Sequence, residues 1–249
     1  MASHQFTGNR TGLSRTRSTR DRTARSGTLY AGSSGFSYPS WKGGFYPADA
    51  RPEEFLRLYS ARVPSVELNT TFYRLPAEGQ FERWAEQTPE TFRFALTMTR
   101  GAMSFARVEG VDAFAQTAGI LGERLGPVRI KVPQARDDGF LRLLLDSLSP
   151  TLRWALDFRH ESWSEPDVQP LLDERGIARV GSLDGAPFSY LRLRDPPYDN
   201  VSLAAVAENV QPALEQGRDV YCYFRHEDEP TAPLYAERLL ELVGRSASR

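Results

Sequence analysis

Trp154-Ala155-Leu156-Asp157-Phe158-Arg159-His160-Glu161-Ser162-Trp163 alternates as a β-strand does. It then sets a carboxylate, a guanidinium and an imidazole within four residues where the strand should end. A period of two sends Ala155, Asp157 and Arg159 to one face and Trp154, Leu156 and Phe158 to the other. The apolar face suits packing beneath helices, so the charged face must look into a polar space. Other strands repeat this arrangement, and the recurrence decides the fold.

Strand-like runs fall at 28–34, 64–70, 91–97, 127–132, 153–159, 177–183, 189–193 and 219–225. Between them, helical periodicity predicts helices over 51–62, 76–87, 110–125, 138–148, 165–175, 201–216 and 231–243. Pro52, Pro76, Asp137 and Pro230 mark helix starts, and Gly126, Gly176, Gly217 and Gly244 mark stops. Phe114, Ala118, Leu121 and Leu125 form one apolar stripe; Phe140, Leu143, Leu144 and Leu148 form another. Eight strands alternating with helices over about 215 residues predict an α/β fold, a (β/α)8 TIM-like barrel rather than an open sheet. Only five residues separate Asp184 from Tyr190, a reach of at most about 18 Å. The helix between strands six and seven is therefore expected to be missing.

The chain of 249 residues, 40% hydrophobic and 25% charged, is large enough to bury one sizeable core. One barrel domain is expected over 28–245. Residues 1–27 form an Arg/Ser/Thr-rich leader with six Arg and one Asp, a charge of +5. It lacks the apolar side chains needed to offset the entropy of ordering, so it is expected to be disordered and dispensable for folding. A whole-chain charge of −1 leaves −6 for the remainder, which argues against a broad nucleic-acid footprint. No apolar run approaches the roughly 18 residues of a membrane span, and no apolar segment of signal-peptide type opens the chain. Cys222 is the single cysteine, excludes an internal disulfide, and sits in an alternating run where it reads as a small buried hydrophobe. A cytoplasmic protein is expected from these features.

Function in such a barrel sits at the C-terminal mouth. Strand parity points Glu67 and Asn69, Thr97 and Thr99, Arg129 and Lys131, Asp157 and Arg159, Ser182 and Asp184, and Arg192 and Arg194 inward, with Tyr223, Arg225 and His226 closing the set. So many buried charges require partners or solvent, so the mouth should be a wet, charged cup. Its surplus of Arg and Lys favours an anion, phosphate or carboxylate, gripped by Lys131, Arg159, Arg194 and Arg225. Arg129 and Arg192, deepest on their strands, read equally well as members of structural ion pairs.

Glu67, Asp157 and Asp184 are candidate general bases, and His160 and His226 candidate acids. The same five residues are the donors a divalent ion would use, although no spaced ligand motif such as H-E-x-x-H appears; a cofactor is therefore left unassigned. His160 also reads as an ordinary hydrogen-bonded residue at a strand end. After strand one, Gly35-Phe36-Ser37-Tyr38-Pro39-Ser40-Trp41-Lys42-Gly43-Gly44-Phe45-Tyr46-Pro47 carries five aromatics. They could stack on a flat ligand, with Tyr38 and Trp41 the candidates for contact, or plug the barrel rim as a satellite apolar cluster.

These residues resemble a family of bacterial and archaeal TIM-barrel proteins called domain of unknown function 72, or YecE-like. The matching stretches are G-S-S-G-F-S-Y-P-S-W-K-G-G-F-Y-P (32–47), V-E-L-N-T-T-F-Y-R-L-P (66–76), L-G-P-V-R-I-K-V-P (125–133), L-D-F-R-H-E-S-W (156–163) and D-V-Y-C-Y-F-R-H-E-D (219–228). The resemblance implies a TIM-like barrel and a shared pocket of Glu67, Asn69, Tyr73, Arg159 and His160; it implies no particular reaction. The chain departs from the family pattern at several of its positions. Thr97 replaces a usual lysine, Ala102-Met103-Ser104 an I-T-H motif, Lys131 a glutamine and Asp157 a glutamate. Arg192-Leu193-Arg194-Asp195 stands for R-L-H-G, and Phe224-Arg225-His226-Glu227-Asp228 for F-N-N-D. The cations of the site are thus expected from strands four, seven and eight.

Two classes of function follow. One is an enzyme of hydrolase type acting on an anionic small molecule or nucleotide-like substrate. The other is a non-catalytic protein whose cup holds an anionic ligand or a partner's acidic tail. A third, nucleic-acid binding through the leader and the aromatic loop, is disfavoured by the charge balance.

Overall fold

A computed structural model describes residues 26–74, 76–100 and 110–246 of the chain. Eight parallel strands, β1 (Leu29–Ser33), β2 (Ser65–Leu68), β3 (Arg93–Thr97), β4 (Leu125–Val132), β5 (Trp154–Phe158), β6 (Ala178–Arg179), β7 (Phe188–Leu193) and β8 (Asp219–Phe224), form two continuous ladders, β1-β8-β7 and β2-β3-β4-β5-β6. Single contacts join the ladders. Ser34 bridges Glu67, the Gly35 N–H donates to Glu67 O at 2.8 Å, and the Gly181 N–H donates to Tyr190 O at 2.8 Å. The result is a nearly closed barrel. Gly32 allows the close approach of β1 to β2, because a Cβ there would lie 1.9 Å from Ser65 O.

Helices α1 (Phe55–Ser60), α2 (Glu78–Glu86), α3 (Gly110–Ala118), α4 (Asp138–Ser147), α5 (Val168–Asp173), α6 (Asn200–Glu215) and α7 (Thr231–Ser246) alternate with the strands. Asp137 caps α4 by accepting from the Phe140 N–H at 2.9 Å, and Asp199 caps α6 through the Ser202 N–H at 2.8 Å. As chain length predicts, β6 runs into β7 with no helix between them. The predicted sixth strand over 177–183 shortens to two residues, since Gly181 and Gly185 adopt positive φ and turn the chain across that gap.

Two other expectations shift. The predicted helix over 110–125 ends as an α-helix at Ala118 and continues as a 3-10 turn over Gly119–Arg124, so Leu125 belongs to β4. In α4 the buried stripe is Leu141, Leu144, Leu145 and Leu148, and Leu143 faces outward. Leucine is denser there than the buried face requires, and packing against the barrel sets the phase. Residues 1–25, most of the leader, and 101–109, which hold the Ala102-Met103-Ser104 departure, lie outside the described residues.

Two cores result. The larger lies between barrel and helices. The smaller fills the barrel interior with Tyr30, Phe188, Tyr190, Tyr221 and Tyr223 against the small Ala95, Ala155 and Ala178. The aromatics all come from the β1-β8-β7 ladder and the alanines from β3, β5 and β6, so large side chains of one ladder fill the space left by small ones of the other. Among the described residues no helix is long and apolar enough to cross a membrane.

Candidate functional site

Above the tyrosine layer the inward positions turn ionic, and they do so at two depths. The lower layer holds Glu67 of β2, Arg129 of β4, Asp157 of β5 and Arg192 of β7, whose side chains are at most 6% exposed. Glu67 Oε1 accepts from the Tyr190 hydroxyl at 2.8 Å. Glu67 Oε2 accepts from Ser34 Oγ at 2.6 Å, Asn69 Nδ2 at 3.1 Å and an Arg192 terminal nitrogen at 3.0 Å. Arg129 donates to Asp157 Oδ2 at 2.6 Å, to Asn69 Oδ1 at 2.8 Å and to Thr97 Oγ1 at 3.0 Å.

The Nε atoms of Arg129 and Arg192 lie 3.4 and 2.9 Å from Glu67 Oε1 without hydrogen-bond geometry, so their attraction is purely coulombic. Burial alone would raise the Glu67 pKa. The two guanidiniums and the hydrogen bonds from Ser34 and Tyr190 outweigh it and hold the carboxyl at about 2. Burial, reinforced by the Glu67 charge, pushes the Tyr190 phenol far up, so it remains a donor.

The upper layer carries Lys131, Arg159, Arg194 and Arg225. A cavity of ≈ 600 Å³ opens among them, floored by Arg129 and Arg192 and walled by Ser34, Asn69, Phe72, Tyr73, Pro133 and His226. Arg159 donates to Asp157 Oδ2 at 2.7 Å, and the Lys131 ammonium lies 5.7 Å from the centre of the Phe72 ring. Burial and the charges of Arg192, Arg159 and Arg129 lower the Arg194 pKa, the mark of cations crowded around an open space. Burial, together with Arg225 and Arg194, likewise lowers His226, which favours its neutral imidazole. Its ring stacks on Tyr38 at 4.8 Å.

The structure thus gathers Asn69, Tyr73, Lys131, Arg159, Arg194, Arg225 and His226 around one cavity, with Glu67 and Asp157 beneath it. Tyr38 lies beside it as the stacking partner of His226. Three candidates are elsewhere. Trp41 is fully buried, its Nε1 donating to Glu227 O at 3.1 Å, so it pins the β1 loop to the β8 loop and touches no ligand space. His160 is exposed; its Nδ1 pairs with Ser162 and caps the turn Glu161–Ser164. Asp184 is exposed in the β6–β7 turn.

Within the pocket that the resemblance implied, Glu67 pairs with neither Arg159 nor His160. Asp157, two residues before Arg159 on the same face, intercepts that guanidinium, and Arg192 takes Glu67 instead. The five donors considered for a divalent ion do not converge, and among the described residues no three His, Cys, Asp or Glu side chains cluster to hold one. Sequence reasoning passed over Ser34 and Tyr190. Tyr190 shares the parity of Arg192, which was the available signal.

Solved structures share the fold. A DUF72 family protein from Thermotoga maritima MSB8 superposes with a TM-score of 0.76 at 23% identity, over 87% of this chain and 99% of that one. A DUF72 family protein from Enterococcus faecalis V583 gives 0.72 at 16% identity, over 88% and 99%. Among curated relatives, UPF0759 protein YunF of Bacillus subtilis is 30% identical over 49% of this chain and 48% of its own length. UPF0759 protein YecE of Escherichia coli K12 is 28% identical over 64% and 60%. The matches thus span only about half to three fifths of those two relatives. The family model for proteins of unknown function DUF72 matches residues 30–249, and the chain belongs to the DUF72 family.

Proposed function

We propose that the cup binds a small molecule through a phosphate or carboxylate group, and that the protein hydrolyses an ester bond of that molecule. The observation that carries this reading is the segregation of charge by depth. Arg129 and Arg192 are spent on Glu67 and Asp157, whereas Lys131, Arg194 and Arg225 face the cavity with no carboxylate partner among the described residues. Guanidiniums at the ends of β7 and β8 also occupy the quarter of the barrel where phosphate sites commonly lie. His226, beside Arg225, takes a proton from the attacking water and passes it to the oxygen that leaves as the ester bond breaks, and the cations stabilise charge that develops on the substrate. Glu67, ionised and with both oxygens engaged, organises the floor and does not exchange protons near pH 7.

One observation favours a non-catalytic ligand-binding role instead. Both buried carboxylates are engaged by guanidiniums, Glu67 by Arg192 and Asp157, through Oδ2, by Arg129 and Arg159, which ties them to the floor and not to acid–base work. The test has two parts. Sulfate should raise the melting temperature more than chloride at equal ionic strength, and Arg194→Ala should blunt the difference; an identical response in both salts refutes anion selection. A bound ester that the wild type cleaves and His226→Asn holds but does not cleave supports the enzyme. Binding by both with no cleavage by either supports the accessory role.

A further inference from the structure

A second cavity of ≈ 680 Å³ adjoins the cup and shares Ser34, Asn69, Tyr73 and His226 with it. Its character is opposite. Phe36, Leu56, Leu68 and Trp84 line it, contributed by the β1 loop, α1, β2 and α2, with polar side chains from Glu53, Gln80, Arg83 and Gln87 and, toward the cup, from Ser37 and Thr70. Leu56 and Leu68 are buried, and Trp84 is held by Phe94 at 5.8 Å and by Phe81 at 5.5 Å. The wall is therefore a preformed extension of the core. Tyr73 stands at the junction of the two cavities with 84% of its surface exposed and touches Phe72 edge-on. A large aromatic left bare at the lip of an apolar pocket is a surface awaiting a partner.

We propose that cup and annex form one bipartite site for an aromatic anion: a phosphate or carboxylate held by Arg194 and Arg225, joined to a flat apolar body seated against Trp84 and covered by Tyr73. This rests on the anion reading of the cup and adds the chemistry of the ligand's other half. A bare inorganic anion or a polyol phosphate leaves the annex wet. An aromatic body empties it of water and gains the apolar contact.

Phenyl phosphate, glycerol 3-phosphate and inorganic phosphate, titrated calorimetrically into the full chain, separate the cases. Phenyl phosphate should bind at least about ten-fold more tightly than the other two, as burial of one ring face implies. Gln87→Trp, which fills the annex from its rim, should close that gap while leaving the affinity for inorganic phosphate unchanged, which also serves as its folding control. Should Gln87→Trp fail that control, Tyr73→Ala, at an exposed position, should narrow the gap several-fold. Equal affinities for the three probes, or an advantage for phenyl phosphate untouched by the substitutions, overturns the annex and leaves the anion reading standing. No binding of any of the three overturns both.

Discussion

Replacing Glu67 by Gln removes one of two carboxylates from a buried network that contains Arg129, Arg192 and Asp157. The volume is kept, but the amide offers one acceptor oxygen where the carboxylate offered two, so the change removes the charge and turns an NH2 donor toward Tyr190 or toward Ser34, Asn69 and Arg192. Folding lowers the Glu67 pKa from 4.5 to about 2. At about 1.4 kcal/mol per unit, the ionised form contributes roughly 3 kcal/mol to stability near neutral pH. Mutational experience with broken buried pairs gives about 3–5 kcal/mol, so the two routes agree. For a domain of this size that is a fall in melting temperature of roughly 6–12 °C.

The pH dependence gives the sharper test. A carboxyl depressed on folding stabilises fully above its unfolded pKa, and the contribution is lost as pH falls through the folded value. The gap between wild type and Glu67→Gln should hold from pH 7 to about 4.5 and narrow between there and about pH 2. Urea unfolding at pH 7, 4.5 and 3 measures it. Adding Arg192→Met to Glu67→Gln should recover part of the loss, because the unpaired guanidinium is its source. A single variant as stable as wild type at pH 7, or a gap that ignores pH, refutes the ion-pair account of the floor.

Two further outcomes are expected. Trp41→Ala should destabilise the fold by about 3–5 kcal/mol in denaturant unfolding, since the indole is fully buried among Tyr38, Phe45 and Tyr46 and ties the β1 loop to Glu227; a surface-like loss under about 1 kcal/mol would return Trp41 to the list of ligand contacts. His226 should titrate below 6.5 in an NMR pH series and move up when phosphate fills the cup, because the anion favours the imidazolium that Arg225 and Arg194 oppose; a midpoint unmoved by phosphate would place the anion elsewhere.

Most of the barrel was legible because strands and helices announce themselves by period, and chain length alone excluded a helix between β6 and β7. Legibility failed where the period was ambiguous. The leucine-dense run Leu141–Leu145 fits more than one helical face, and only packing against the barrel decides that Leu143 looks out. For the site, parity identified the inward side chains on the strands and one residue beyond them, at Asn69, Arg159, Arg194 and Arg225, and lost meaning after that. The Arg159 N–H donates to Val132 O in the last ladder bond of β5; His160 then turns outward to cap its own turn. The annex had no signal at all, since its walls come from four elements that no single periodicity connects.

Parity gives a face but neither depth nor partner, and that difference changes what the charges mean. Read along the sequence, six cations faced three acids. In the fold Asp184 leaves the set, and Glu67 and Asp157 sink beneath Arg129 and Arg192. The surplus is therefore larger than the sequence count implied, and it is concentrated at the mouth, where Lys131, Arg194 and Arg225 meet solvent and any ligand first. The floor is a buried ion-pair network that lies beneath those cations. The two layers should then answer differently to substitution. Removing charge from the floor at Glu67 alters stability and, by taking away a negative charge under the cup, strengthens anion binding. Removing charge from the mouth at Arg194 weakens anion binding and leaves stability nearly untouched. If both substitutions weakened binding and stability alike, the cup would be one undivided network, and the division of labour by depth would be wrong.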